Sequence, residues 1–487
     1  MKIKQSIIVA TTAAALSTAS FAAVTPEDID FLKRDFGSNV DLLLRTLAPL
    51  LVGFTPIRLS APETTGPYRL PNQGAARQVH LAQGLSVQYL TRNAADSTDM
   101  MAFFPRQNPT HIISCVETDL EEIAPGKLNP SVQRINLANG KVETILRGMN
   151  PCDGIRATAW GTILATEEND DGGAYEILDP LHVSNQTVVD RATGVTTDAA
   201  HIVKRTALPT MAWEGIAVLP SGVIIAGDEL RPGTDVPDSD GGAIFKFIPS
   251  TPFSGSGAIA TLNDSPLAAG GVYALQVSCL PDIQQFGQGC EVGQAAWVPV
   301  SAATARSSAD SAGATGHYRP EDLHRDLLYR NPEVPEAVRV CWTDTGNEEA
   351  FNYAEVVCAV ESSPLTAVAG ERTVVVNRFI EGDTDFNSFD NLAFQPRTGN
   401  LYVIEDHPNG DIFACLRDGK DRDLKSDGCV KLLSVKDSSA EPTGFVFAPN
   451  GRTAYLSIQH SDDANVPEVD DYGTDDVLKI TGFQLPE

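Results

Sequence analysis

The sequence predicts an all-β fold, a β-propeller carrying loop insertions and a short N-terminal helical segment. Three observations lead there. Four stretches share one layout: CDGIRATAWGTILATEEN at 152–169, EGIAVLPSGVIIAGDE at 214–229, DNLAFQPRTGNLYVIEDH at 390–407 and PTGFVFAPNGRTAYLSIQH at 442–460. In the last three a polar or acidic start leads into an alternating strand, a Pro/Gly turn, a second strand and a polar end, which is a hairpin signal. Helix signals are scarce outside the N-terminus. Self-similarity on this scale points to a repeat architecture, and in a propeller equivalent strand ends meet near one axial channel. Acidic strand ends then converge, and packed carboxylates need cations to neutralise them.

Along the chain, Lys2 and Lys4 followed by a short apolar run at 7–15 and Ala-Ser-Phe-Ala at 19–22 read as an export signal cleaved near Ala22. No twin-arginine pair precedes the run, so the general secretory route and a periplasmic or secreted destination are expected. Residues 23–75 are expected to be helical or irregular. Thr25-Pro-Glu-Asp opens one helix to about Asp35 and a second runs from Asn39 to about Leu47. The apolar face Leu43, Leu44, Leu47 and Leu51 reads as a lid or plug on the main domain.

The propeller domain is assigned to 76–487, with an insertion around 250–316 that includes the Ser/Ala/Gly-rich run 301–316. Strands are expected at 84–92, 111–117, 132–146 (a hairpin turning at Asn139-Gly140), 174–179, 243–248, 338–343, 354–360 and 373–379. The acidic loop 421–428 lacks the distal glutamate of an EF-hand and reads as an ordinary loop.

The chain has 64 acidic against 36 basic residues and a net charge of -28, which argues against nucleic acid or an anionic membrane as partner. Its 8 cysteines suit disulfides in an oxidising compartment, with 279–290, 341–358 and 415–429 as local pairs. Cys115 and Cys152 remain, either bonded to each other or leaving Cys152 as a thiolate ligand. Glu214 behind Trp213, entering an apolar strand, needs a partner if buried, and a cation is the simplest. His201 and His407 lack ligand spacing to another histidine, and there is no nucleophile elbow, P-loop or dinucleotide fingerprint.

Several windows together resemble the PhoX-type alkaline phosphatases, secreted bacterial β-propeller enzymes. They are NPCDG with AWGTILATEEN, WEGIAV with AGDE, GGAIFKF, YRPEDL, FDNLAFQP with GNLYVIED, and PTGFVFAPNG with LSIQH, in that order over 150–460. The resemblance implies about six blades around a cluster of calcium and iron that binds a small-molecule phosphomonoester. It places the iron-ligand cysteine on Cys152, further metal ligands on Glu168, Glu214, Asp228 and Glu229, a phosphate-binding arginine on Arg319 and a calcium-ligand glutamate on Glu321. Arg319 and Glu214 are then the catalytic candidates. Asp390, Asn391, Glu405 and Asp406 are either ligands or strand-end support. Where the family pattern has glycine, proline and cysteine, this chain has Asp153, Ala159 and Thr166. Clustered cations would neutralise the phosphoryl oxygens and activate an oxygen nucleophile. Two other functions share the acidic ring: a calcium-dependent lactonase-like hydrolase, and a non-catalytic propeller with structural calcium.

Overall fold

The computed structural model describes residues 42–485 apart from 234–240, 278–291, 348–350, 369, 418–427 and 463. The predicted leader, the first predicted helix, the 279–290 cysteine pair and most of the acidic loop 421–428 lie outside the described residues. The described residues from Leu47 onward form one compact unit. The second predicted helix is observed over 42–51.

The chain is built from antiparallel hairpins, as the alternating runs and Gly turns require. In the 132–146 window, strands Pro130–Asn136 and Val142–Arg147 flank a turn in which Gly140 has φ +70°. That left-handed backbone is open to glycine at no steric cost. Successive hairpins extend into sheets that are antiparallel except where Gln186–Asp190 pairs parallel with Val142–Arg147. Their first strands are Thr98–Phe104, Cys152–Ala157, Trp213–Val218, Pro320–Arg325, Phe389–Phe394 and Glu441–Phe447. Each first strand packs on the next, and the last packs on the first. The result is a closed, propeller-like ring. Ser86–Ala95, the first long strand, completes the sheet made by the three C-terminal strands by pairing with Thr474–Thr481. Ring closure therefore joins the two ends of the main unit.

The core lies between neighbouring sheets and is filled by large side chains such as Trp160, Trp213 and Trp342, all fully buried. Lys246, also fully buried, donates to Glu361 Oε at 2.7 Å, satisfying a charge that the interior would otherwise penalise.

The expected insertion at 250–316 contains regular structure. Strand Gly270–Val277 continues one sheet and Gly293–Val300 adds to it, then pairs with Val374–Glu381 and so fuses two sheets. Helix Ala305–Ala312 follows, ended by Gly313 at φ +70°. It lies within the Ser/Ala/Gly-rich run 301–316 of the expected insertion, and its Ser/Ala composition suits a helix because alanine has the highest helix propensity.

Candidate metal and phosphate centre

Every first strand bulges near its start. Two residues there oppose one residue of the next strand: Asp99-Met100, Asp153-Gly154, Glu214-Gly215, Glu321-Asp322, Asp390-Asn391 and, without an acid, Gly444-Phe445. A bulge re-aims a side chain and is common beside active sites. Here five of the six bulges begin with a carboxylate. Gly215 is dictated by space, since a Cβ there would lie 1.7 Å from the Leu323 backbone N on the adjacent first strand.

The hairpins bring the end of each second strand beside these bulges, adding Glu117, Glu168, Glu229 and Asp406. Carboxylate oxygens of Asp153, Glu168 and Glu214 lie within 4.8 Å of one another, and so do those of Glu214, Glu229 and Glu321. Glu214 belongs to both groups. Asp153 Oδ1 and Glu214 Oε2 are buried without a hydrogen-bond partner. Burial raises the pKa of Asp153 to about 7, against a hydrogen bond with Glu214 and with help from the charges of Glu117, Asp322 and Glu229. Burial, and then Asp153, hold Glu214 well above its ordinary value. Burial and the neighbouring Glu229 do the same to Glu168. Without cations, burial and mutual repulsion favour the protonated forms of Asp153, Glu168 and Glu214.

Arg319 is a cation set into this acidic wall. Its Nε lies 2.5 Å from Glu229 and 2.6 Å from Glu321, and Nη1 lies 3.0 Å from Asp406. Among the described residues Nη2 has no hydrogen-bond partner. Arg319 sits at φ +62°, a conformation costly for a side-chain-bearing residue and concentrated at functional sites. Burial raises Glu229, but the hydrogen bond from Glu168 and the Arg319 charge outweigh it and leave Glu229 below its ordinary value. Glu321 also accepts from Thr345 at 2.9 Å.

The alkaline phosphatase PhoX family model matches residues 130–462, more than half of the chain. This chain belongs to the PhoX alkaline phosphatase family. Among solved structures, Pseudomonas fluorescens PhoX in complex with vanadate, a transition state analogue, aligns with a TM-score of 0.54 at 15% identity, covering 87% of this chain and 98% of that one. At that identity the likeness speaks for the fold. A PQQ-bound aldose sugar dehydrogenase from Streptomyces coelicolor aligns with a TM-score of 0.41 at 12% identity, over 82% of this chain and 98% of that one. A gluconolactonase from Xanthomonas campestris gives a TM-score of 0.36 at 12% identity, over 88% and 98%. No curated protein matches the sequence.

Of the residues that the family resemblance singled out, Glu168, Glu214, Glu229 and Glu321 come together, with Arg319 touching two of them. Cys152 does not join them as a thiolate, because its sulfur is bonded to Cys115. Asp228 is turned away from the centre. Neighbouring strand residues face opposite ways, and its carboxylate takes a fork from Arg306 at 2.7 and 2.8 Å together with the Ala212 N–H. Glu405 is strand-end support, accepting from the Asn387 and Asp411 backbones, and Asn391 accepts from Thr443 and the Gly444 N–H. His407 is engaged after all: burial lowers it, but its pairing with Glu405 prevails and raises it to about 9.

Sequence reasoning passed over Asp99, Asp153 and Glu117. In the sequence, Asp153 stands out only as a departure from the family pattern. For Asp99 and Asp153 the signal is an acid at the second position of five of the six first strands, written T-D-M, C-D-G, W-E-G, P-E-D and F-D-N.

The donor set suits hard cations. Carboxylate oxygens with two buried, unpartnered atoms among them match calcium. They do not match iron held by a cysteine thiolate, since Cys152 is in a disulfide.

Proposed function

We propose that this chain is an exported, calcium-dependent phosphomonoesterase of six blades, acting on small-molecule phosphate esters at the axial carboxylate cluster. The observation that carries this reading is Glu214, shared by two carboxylate groups of three, with Arg319 bonded into the second. Bound calcium would supply Lewis-acid neutralisation of the phosphoryl group and lower the pKa of an attacking oxygen. Asp153, Glu168, Glu214, Glu229 and Glu321 would hold it, and Asp99 and Asp390 support the wall around them.

The chain's own contribution is positional and electrostatic. Arg319 orients the phosphoryl group through its Nη2 edge, with Nε and Nη1 fixed by Glu229, Glu321 and Asp406 so that little freedom is lost on binding. A planar guanidinium fork suits phosphate as lysine does not. Burial of Asp153 and Glu214 keeps bulk water from the floor of the centre, strengthening each charge interaction there.

The disulfides Cys341–Cys358 and Cys415–Cys429 fit an oxidising compartment, in keeping with a secretory leader over residues 1–22. No helix among the described residues is long and apolar enough to cross a membrane.

The test is hydrolysis of a generic phosphomonoester at alkaline pH with added calcium and then with chelator. Activity raised by calcium and abolished by chelation is expected. Lactone turnover without phosphate release would replace this reading with a hydrolase of another class.

A further inference from the structure

We infer that Arg306, delivered by helix Ala305–Ala312, is a positioning residue that sets the spacing of Glu168 and Glu229. This inference rests on the cation reading of the carboxylate cluster. Arg306 grips both chain segments that carry those two acids. Its Nε and Nη2 take Asp228, the residue before Glu229, in a fork at 2.8 and 2.7 Å. Its Nη1 takes Asp170, two residues after Glu168, at 2.5 Å.

Between these grips the backbone of Ala212 splices the same two segments. Ala212 bridges to Glu168, accepts from the Glu229 N–H at 3.0 Å and donates to Asp228 at 3.1 Å. Glu168 and Glu229 are thereby held close enough to share a hydrogen bond. The inner grip is fully buried at Asp228, whereas Asp170 is 80% exposed, so the outer grip closes from the surface. A bidentate arginine fixes angle as well as distance, and lysine cannot hold both carboxylates in this geometry. The helix thus ties an excursion from the ring to the geometry of the centre.

A matching brace stands on the neighbouring blade. Arg191 donates to Glu167, the residue before Glu168, at 2.6 Å and to Asp171 at 2.8 Å. Glu168 is held from behind through Glu167, and Glu229 through Asp228. The loop residues Asp170 and Asp171 anchor one arginine each.

The discriminating variant is Arg306→Gln combined with Asp228→Asn, which removes the charge together with its buried partner and leaves a neutral pair. Melting in chelator reports any structural role, and the calcium concentration giving half of the calcium-induced rise in melting temperature reports positioning. The double variant is expected to melt in chelator within a few degrees of the parent and to need roughly tenfold more calcium. Arg306→Lys should fall between the two. An unchanged calcium midpoint in the folded double variant overturns the inference. Should that variant not fold, Asp170→Ala removes the outer grip alone and is expected to raise the midpoint about threefold, an unchanged midpoint again overturning it. A parent protein with no calcium response refutes the cation reading itself, and this inference with it.

Discussion

In chelator, the protein should lose stability as pH rises from 5 to 8, and saturating calcium should remove that loss. The structural cause is Asp153, whose carboxyl is raised from an ordinary 3.8 to about 7, chiefly by burial. Its folded-state value lies above the unfolded one. The protonated carboxyl therefore stabilises the fold at pH values below 3.8, and this contribution disappears as pH climbs through about 7. The displacement corresponds to about 4 kcal/mol. Glu441, raised to about 8 by burial and by Asp406 and Glu117, acts in the same direction. His407, raised from an ordinary 6.5 to about 9, also adds stability, which begins to be lost above pH 6.5 and is gone only beyond pH 9. About 2.6 kcal/mol of the Asp153 contribution is lost between pH 5 and 8, the rest below pH 5. With about 2.1 cal/mol/K of unfolding entropy per residue over Leu47–Glu487, Asp153 alone should lower the melting temperature by roughly 3 °C over that range. The assay is a melting series from pH 5 to 8 in chelator and in excess calcium. Calcium binds the ionised carboxylates, so its stabilising effect should grow with pH. A chelated protein whose melting temperature stays level or rises over this range would refute the reasoning.

Arg319→Ala should reduce kcat/KM for a phosphomonoester about 100- to 1000-fold, and Arg319→Lys should recover no more than about a tenth of the parent value, both read from steady-state kinetics. Replacing Cys115 and Cys152 together by serine should lower stability by about 2–4 kcal/mol in denaturant titration. The calcium-induced rise in melting temperature should survive that change, and its loss would count against an oxygen-only centre. Asp99→Asn removes a buried carboxylate facing Asp153, and burial and the charge of Asp153 already raise its pKa. It should therefore stabilise the chelated protein slightly and weaken calcium binding, as measured by calorimetry.

Much of the fold was legible because its hairpins are local. Alternation and Gly turns located the strands at 132–146, 214–229, 390–407 and 442–460 to within a few residues. The strands inside 250–316 were not, since Gly270–Val277 and Gly293–Val300 are specified by pairing with distant partners. In the centre, adjacent acids were the difficulty. Glu167-Glu168 and Asp228-Glu229 each contribute one carboxylate to the cluster and one to an arginine behind it. Which is which depends on strand register. Asp322 is a parallel case. Burial opposes its ionisation, yet His324 and Arg156 bring it down to about 2, and it serves as an anchor beside Glu321. The fate of Cys152 was decided by Cys115, 37 residues away on the neighbouring blade.

The central claim is that calcium at the carboxylate cluster carries the phosphatase activity. One titration tests it most directly: phosphate release and melting temperature followed together against free calcium, on a single chelator-stripped sample. The account predicts that both rise with the same midpoint and that both collapse in Glu214→Gln. Phosphate release that persists in the stripped protein, or that Glu214→Gln leaves intact, would contradict it.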